Sequence, residues 1–190
     1  MSVKSFLMVG VGGQGIVLAS NVLCTAAMLA GYDVKKSEIH GMAQRGGSVV
    51  SHVRIGEKVF SSVIPDGSTD YVLSFEYMEF LRYRAMYNQH TALLLNTKRI
   101  LPPGVALGTE TYPEELVESE KKTFAALYEL DAEGIAAQAS NAKAQSIVML
   151  GKLSSCIDIS EEIWMKAIEE NIPVKNVELN KKAFSMGKKS

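Results

Sequence analysis

The sequence predicts a three-layer α/β/α fold with a mostly parallel sheet, an inserted β-hairpin and a helical C-terminal third. Three observations predict it. An apolar run is followed by a glycine-rich turn and a long helical segment, strand and helix segments alternate again after residue 70, and three helical segments follow residue 144. With 190 residues and no linker or repeat, the chain is expected to form one domain over residues 1–190.

The chain is predicted to begin with a strand, a helix and a second strand. Val3–Val9 is short, apolar and β-prone, and Gln14–Ala30 is long enough for a helix. Gly31 suits the C-terminal cap of that helix, and Tyr32–Ile39 follows as the second strand. A right-handed crossover is expected, which gives the sheet a Rossmann-like start.

A β-hairpin is predicted to interrupt this alternation. Ser48–Ile55 alternates in polarity, Gly56–Lys58 has the composition of a tight turn, and Val59–Val63 is expected to return as an antiparallel strand. A simple doubly wound nucleotide-binding fold has no hairpin at this place, so the insertion distinguishes the chain from that class.

The remaining elements are predicted from apolar runs, breakers and helical periodicity. The predicted strands are Tyr71–Phe75, Thr91–Leu95 and Phe124–Leu130. The predicted helices are Glu76–Tyr87, Pro113–Lys121, Ala132–Ala139, Gln145–Leu153, Ser160–Glu170 and Lys175–Met186. The five aromatic residues from Phe75 to Tyr87 favour a core stripe, with a partner-facing surface as the alternative.

Charge and hydropathy exclude several classes of function. The net charge of −1 gives no basic excess for nucleic acid. The longest apolar region, Ile16–Tyr32, contains polar residues and is shorter than the roughly 20 residues that span a bilayer, so no membrane association is expected. Without a secretory pattern, the chain is predicted to be cytoplasmic.

The two cysteines and the histidines do not form a metal site in the sequence. Cys24 and Cys156 lie far apart and are predicted to be small buried residues in a reducing compartment. Because an iron–sulfur cluster usually needs four thiolates, this chain cannot ligate one alone. His40 and His52 lack the spacing of a zinc site, so no metal is predicted.

The first candidate site is GVGGQG, which sets Gly12, Gly13, Gln14 and Gly15 between a strand and a helix. Glycine permits positive φ and lets backbone N–H groups approach a phosphate at a helix N-terminus. A dinucleotide site also needs an acid after the second strand, and Glu38 lies 23 residues beyond Gly15. The motif alone leaves open a dinucleotide, another phosphate or diphosphate, and a structural turn.

The second candidate site is HGMAQRGGS, which contains Gln44, Arg45, Gly46 and Gly47. An amide, a guanidinium and glycine N–H groups together suit an anionic ligand or the backbone of a partner protein. The structural alternative is a sharp connection in which Arg45 pairs with a carboxylate of the same fold.

These motifs together resemble a known family. The segments GVGGQGIVLAS, EIHGMAQRGGSVVSHVR, PDGSTDYVLSFEYMEFLR and NTKRILPP are similar to the gamma-type component of 2-oxoacid:ferredoxin oxidoreductases, and most similar to the indolepyruvate branch. The resemblance covers nearly the whole chain and is strongest from Val3 to Arg99.

The resemblance implies a small subunit that works in a complex. Such enzymes oxidatively decarboxylate a 2-oxoacid, here expected to be an aryl pyruvate, with coenzyme A to acyl-CoA, CO2 and reduced ferredoxin. Thiamine diphosphate and [4Fe–4S] clusters are then expected in a large alpha subunit, and ferredoxin is expected to react with the complex. This chain would bind no cofactor alone, would be inactive alone, and could form a homodimer in isolation.

The resemblance also suggests which residues face the shared cleft. The expected contacts to a cofactor or to coenzyme A are Gly12, Gly13, Gln14, Gly15, Gln44, Arg45, Gly46 and Gly47, with no catalytic residue in this chain. Two alternatives compete with this interpretation. One is a stand-alone NAD(P)-dependent dehydrogenase or nucleotide-binding module, and the other is a scaffolding module without enzymatic function.

Overall fold

A computed structural model describes residues 2–40 and 47–190 of the chain. In that part, six strands form one sheet in the order β2-β3-β1-β4-β5-β6. The strands are β1 (Lys4–Val11), β2 (Asp33–His40), β3 (Ser48–Gly56), β4 (Tyr71–Ser74), β5 (Ala92–Asn96) and β6 (Ala126–Leu130). Strands β1, β4, β5 and β6 pair in parallel, whereas β3 is antiparallel to both β1 and β2. The predicted α/β class with a mostly parallel sheet is confirmed.

The helices flank this sheet and dominate the end of the chain. The α-helices are α1 (Ile16–Leu29), α2 (Pro103–Ala106), α3 (Glu114–Lys121), α4 (Ala132–Gln138), α5 (Gln145–Ser154), α6 (Glu161–Asn171) and α7 (Val174–Lys189). The helical C-terminal third is therefore confirmed, whereas α2 was not predicted. Segment Glu79–Met86 is a 3-10 helix, interrupted at Tyr83, in place of the α-helix predicted from Glu76.

The inserted hairpin differs from the predicted one. Strand β3 pairs with β1 on one edge and with β2 on the other, so neither edge is open to a strand at 59–63. The prediction of a strand at Val59–Val63 is wrong, because this segment crosses one face of the sheet and is anchored by buried Val59 and Ile64. The hairpin consists instead of β2 and β3.

The insertion of β3 also changes the first strand–helix–strand unit. Helix α1 ends as expected, with Gly31 at φ +85° donating to the carbonyl oxygen of Met28 at 2.9 Å. Strand β2 then runs in the same direction as β1 but is separated from it by β3. The predicted strand–helix–strand unit is therefore present, with β3 inserted between its two strands.

Two apolar cores lie on the two faces of the sheet. Successive side chains of β1 point to opposite faces of the sheet. Phe6 and Met8 lie in the larger core, and Leu7 and Val9 lie in the smaller one. The larger core includes residues of α1, α4, α5, α6 and α7, and the smaller one includes residues of the 3-10 helix and α3. No helix in the described ranges is long and apolar enough to cross a membrane.

Candidate functional site

The glycine turn connects the C-terminal end of β1 to the first turn of α1. Gly13 adopts φ +102°, and Gly15, which caps α1, adopts φ +83°. These are left-handed conformations that favour glycine. The N–H of Gly12 donates to the carbonyl oxygen of Gly47 at 2.9 Å, so the turn is bonded to the residue that precedes β3.

Gln14 holds this turn against the neighbouring strand. Its Oε1 accepts a hydrogen bond from the N–H of Val11 at 2.7 Å, and its Nε2 donates to the carbonyl oxygen of Phe75 at 2.7 Å. The side chain is buried, so these two bonds satisfy groups that are shielded from water. Gln14 thereby fixes the position of the glycine backbone relative to the end of β4.

Asn96, which sequence reasoning missed, extends this buried network. Its Nδ2 donates to the same carbonyl oxygen of Phe75 at 3.0 Å, and its Oδ1 accepts from the N–H of Ala132 at 3.1 Å. The amide thus bonds the end of β5 to the end of β4 and to the start of α4. A lone Asn at the end of an apolar strand was the only sequence signal for this role.

An open cleft of about 270 Å³ lies beside the turn and is lined by Gly12, Gly13, Gly15, Ile16, Val17 and Val49. A Cβ placed on Gly13 would meet no atom of the described residues within 4 Å. Within residues 2–40 and 47–190, the N–H groups of Gly13 and Gly15 find no hydrogen-bond acceptor. With the start of α1 beside them, these donors could bind an anionic group between apolar walls.

The second candidate loop is described only at its end. Gln44, Arg45 and Gly46 lie outside the described residues, whereas Gly47 contacts the glycine turn through the bond to Gly12. The next residue, Ser48, donates from Oγ to Oε2 of buried Glu79 at 2.8 Å. The end of this loop is therefore fixed to both the glycine turn and the 3-10 helix.

Glu38 does not occupy the position that a dinucleotide site requires. Its Oε1 accepts hydrogen bonds from Lys36 Nζ at 2.7 Å and Ser20 Oγ at 3.1 Å. Because β3 separates β2 from β1, this strand lies two strand spacings, about 10 Å, from the glycine turn's own strand. The arrangement disfavours a dinucleotide held by the turn and Glu38 together.

Glu76 is a second buried residue that sequence reasoning did not single out. Its Oε2 accepts from the N–H groups of Met78 and Glu79, and its Oε1 accepts from the N–H of Ile100 and the hydroxyl of Tyr112, at 2.8, 3.2, 3.0 and 3.1 Å. Burial, followed by the charge of Glu76, raises the pKa of Tyr112, so this phenol remains a proton donor. The carboxylate therefore fixes three segments that follow β4 and β5.

The aromatic segment after β4 forms core, as the preferred interpretation expected. Phe75, Tyr77, Phe80 and Tyr87 are buried. Within the described ranges, no three His, Cys, Asp or Glu side chains are grouped to hold a metal ion. Both cysteines are free, and burial raises the pKa of the Cys24 thiol to about 11.

These features define a Rossmann-like α/β protein in which a glycine turn, held by buried amides, opens on a cleft beside an inserted antiparallel strand. The chain belongs to the family described as pyruvate ferredoxin/flavodoxin oxidoreductase, which it matches over residues 5–190. The family predicted from the sequence motifs is thereby confirmed.

Individual relatives support this assignment over the full length. The chain is 37% identical to indolepyruvate oxidoreductase subunit IorB of Thermococcus kodakarensis over 195 residues, covering 100% of this chain and 96% of the relative. It is 41% identical to the subunit of the same name from Archaeoglobus fulgidus over 187 residues, covering 96% and 92%. These relatives are subunits of oxidoreductases.

A solved structure shows the same fold. The gamma subunit of a keto/oxoacid ferredoxin oxidoreductase from Geobacter sulfurreducens superposes with a TM-score of 0.71 at 25% identity, covering 97% of this chain and 95% of that one. A 2-oxoglutarate:ferredoxin oxidoreductase from Magnetococcus marinus matches with a TM-score of 0.77 at 19% identity. This second match covers 100% of the present chain and 31% of the longer Magnetococcus marinus chain.

Proposed function

We propose that the chain is the small subunit of a 2-oxoacid:ferredoxin oxidoreductase that acts on indolepyruvate or a related aryl pyruvate. The complex would oxidatively decarboxylate the 2-oxoacid with coenzyme A to acyl-CoA, CO2 and reduced ferredoxin. Support for this substrate class comes from relatives named indolepyruvate oxidoreductase subunit IorB, which are 36–41% identical to the chain. The more distant relatives with pyruvate or 2-oxoglutarate in their names are 27–28% identical.

The redox and decarboxylation groups are assigned to a large alpha subunit. Thiamine diphosphate would supply the carbon chemistry there, and [4Fe–4S] clusters would carry electrons to ferredoxin. The donor set of this chain does not fit a cluster, because its two thiols lie on α1 and beyond the end of α5. Its own contribution is therefore binding and positioning.

The open face of Gly13 is the observation that carries the proposed role. The glycine turn offers N–H donors and a helix N-terminus beside a cleft that no side chain of the described residues fills at Gly13. This suits a phosphate group of coenzyme A that is held mainly by the large subunit. Gln14 and Asn96 then act by keeping the donors in place before the ligand arrives.

The remaining predicted contacts complete this proposal. Gln44, Arg45 and Gly46 would supply an amide, a cation and backbone donors, and Gly47 joins their loop to the turn. Replacing Arg45 with Ala is expected to raise the apparent KM for coenzyme A or to weaken assembly of the complex. Unchanged values of both in the reconstituted enzyme would remove Arg45 from the proposal.

The decisive experiment compares Gly13→Ala with Gly31→Ala in the reconstituted complex. Both glycines have positive φ, and a Cβ on either meets no described atom within 4 Å, so the two substitutions impose the same kind of strain. Only Gly13 faces the cleft. We expect Gly13→Ala to raise the apparent KM for coenzyme A about tenfold, which corresponds to about 1.4 kcal/mol.

The measurement is the rate of acyl-CoA formation at varied coenzyme A, with aryl, aliphatic and acidic 2-oxoacids as substrates. Equal KM values for the two variants would contradict a role of the turn in binding coenzyme A. Turnover restricted to aliphatic or acidic 2-oxoacids would contradict the proposed substrate class. Tight binding of NADH by the isolated chain would instead favour the nucleotide-binding alternative.

A further inference from the structure

The 3-10 helix that follows β4 carries a buried carboxylate next to the candidate site. Glu79 is only 4% exposed. Its Oε1 accepts a hydrogen bond from Nε of Arg82 at 2.8 Å, and its Oε2 accepts one from Oγ of Ser48 at 2.8 Å. Burying a carboxylate is unfavourable unless such bonds compensate for the lost water. Packing alone does not require a carboxylate here, so its bond to Ser48 calls for an explanation.

The hydroxyl of Ser48 receives a second bond from the same helix. The hydroxyl oxygen of Tyr83 lies 3.2 Å from Ser48 Oγ. Because the single hydroxyl proton of Ser48 is donated to Glu79, the Tyr83 hydroxyl is the donor in this second bond. Tyr83 is also the residue at which the 3-10 helix is interrupted, with φ −114° and ψ 29°. We call Ser48, Glu79 and Tyr83 the Ser48 clamp.

The Ser48 clamp holds the backbone that shapes the cleft. Ser48 is the first residue of β3 and pairs with Val11, the last residue of β1 before the glycine turn. The carbonyl oxygen of the preceding residue, Gly47, accepts the bond from the N–H of Gly12 at 2.9 Å. The following residue, Val49, lines the cleft. The clamped residue therefore lies between one residue that holds the turn and one that forms the wall of the cleft.

The clamp and the cleft lie on opposite faces of the sheet. Val49 packs against the larger core, whereas Val50 lies in the smaller one. Because successive side chains of a strand alternate, Ser48 points to the same face as Val50. The cleft is lined by Val49 and by Ile16, which belongs to the larger core. The Ser48 clamp can therefore influence a ligand in the cleft only through the backbone.

We propose that Glu79 is a positioning residue for the glycine turn, which it reaches through Ser48 and Gly47. The inference rests on the proposed function, because it concerns the same binding site. With Gly47 fixed, the bond to Gly12 holds the turn in one conformation, and the free N–H groups of Gly13 and Gly15 stay beside the cleft. Such preorganisation lowers the entropy cost of binding. Loss of the clamp would weaken binding of coenzyme A without removing any contact to it.

The test measures acyl-CoA formation at varied coenzyme A in the complex reconstituted with the large subunit. We expect Ser48→Ala to raise the apparent KM for coenzyme A about fivefold at unchanged kcat, since one hydrogen bond is lost. Glu79→Gln should raise it about threefold, because an amide accepts a weaker bond than a carboxylate. Ser48→Thr should restore the wild-type KM, because it retains the hydroxyl.

A double variant tests whether Glu79 acts through Ser48. In the Ser48→Ala background, Glu79→Gln should cause no further rise in KM, because the bond that joins the two residues is already absent. A rise equal to the product of the two single effects would show that Glu79 acts independently of Ser48, and it would overturn the inference.

Thr69→Val is the matched control. The buried Thr69 donates from Oγ1 to the carbonyl oxygen of Met86 at 2.7 Å, so it bonds to the other end of the same 3-10 helix. Thr69 precedes β4 and therefore lies at the opposite edge of the sheet from the glycine turn. We expect Thr69→Val to lower the stability in urea denaturation at unchanged KM. If it raises KM as much as Ser48→Ala does, the effect is general destabilisation and the inference is wrong.

The outcomes also separate this inference from the proposed function. If the wild-type complex forms no acyl-CoA from any 2-oxoacid, the proposed function fails. If Gly13→Ala raises KM but Ser48→Ala does not, only the positioning role of Glu79 is wrong. A Ser48→Ala effect confined to kcat would likewise overturn that role, because the clamp is inferred to act on binding.

Discussion

Glycines serve two different purposes in two regions of this molecule. Where α5 packs on α7, a Cβ on Gly151 would lie 2.1 Å from the carbonyl oxygen of Phe184, and one on Gly187 would lie 2.1 Å from that of Val148. At the turn after β1, a Cβ on Gly13 would meet no described atom within 4 Å. Gly151 and Gly187 allow α5 and α7 to touch, whereas Gly13 lies where the described residues leave room for a side chain.

This difference shows which glycines are explained by the fold itself. Gly151 and Gly187 are required by packing, because any side chain would displace backbone atoms. Among the described residues, nothing but the φ of +102° requires a glycine at position 13, and none of their atoms lies within 4 Å of a Cβ built there. Gly15 combines both requirements, because it has a positive φ and a Cβ there would lie 2.7 Å from Ser146 Oγ.

The largest effect is expected for Gly187→Ala. Alanine in a helix gains about 1 kcal/mol over glycine. However, the new methyl would overlap the Val148 carbonyl and force α5 and α7 apart, so we expect a net loss of about 3 kcal/mol in the free energy of unfolding. Urea denaturation measures it, with Lys182→Ala on the exposed face of α7 as the control. A stability equal to wild type would mean that the helices do not touch at this point.

A smaller loss, about 2 kcal/mol, is expected for Gly15→Ala. Its left-handed φ accounts for about 1–2 kcal/mol of this loss. The close contact of the new methyl group with Ser146 accounts for the rest. Among the described residues, Ser146 Oγ is buried without a hydrogen-bond partner, so Ser146→Ala alone should not destabilise. In the double variant, part of the Gly15→Ala cost should disappear. Strict additivity in this double-mutant cycle would show that the two residues do not interact.

The parallel half of the sheet could be predicted from the sequence, because its strands have both faces buried. Such strands appear as short apolar runs, as in β4 and β5, and the helix that follows β1 ends at a recognisable glycine. The second hairpin strand could not be predicted. Val59–Val63 has an apolar composition like a strand, but whether such a segment pairs depends on which edges of β3 are already occupied.

The candidate site shows the same limit. The glycine spacing predicts a turn with positive φ after β1, and the structure has one at Gly13 and Gly15. The sequence does not show that Gln14 bonds to Phe75, which lies 61 residues away, because no local pattern specifies a tertiary partner. The contact of this chain with a cofactor or coenzyme A stays a prediction. The residues predicted to make that contact are Gly12, Gly13, Gln14, Gly15, Gln44, Arg45, Gly46 and Gly47.

The smallest effect on stability is expected for Gly13→Ala. Within residues 2–40 and 47–190, only the backbone conformation opposes the new side chain, so we expect a loss of about 1 kcal/mol in the free energy of unfolding, similar to that of Gly31→Ala. Urea denaturation of the two isolated variants provides the comparison. A loss as large as that of Gly187→Ala would show that Gly13 is itself a packing residue. A small loss, together with a raised KM for coenzyme A, would leave ligand binding as the reason for glycine at this position.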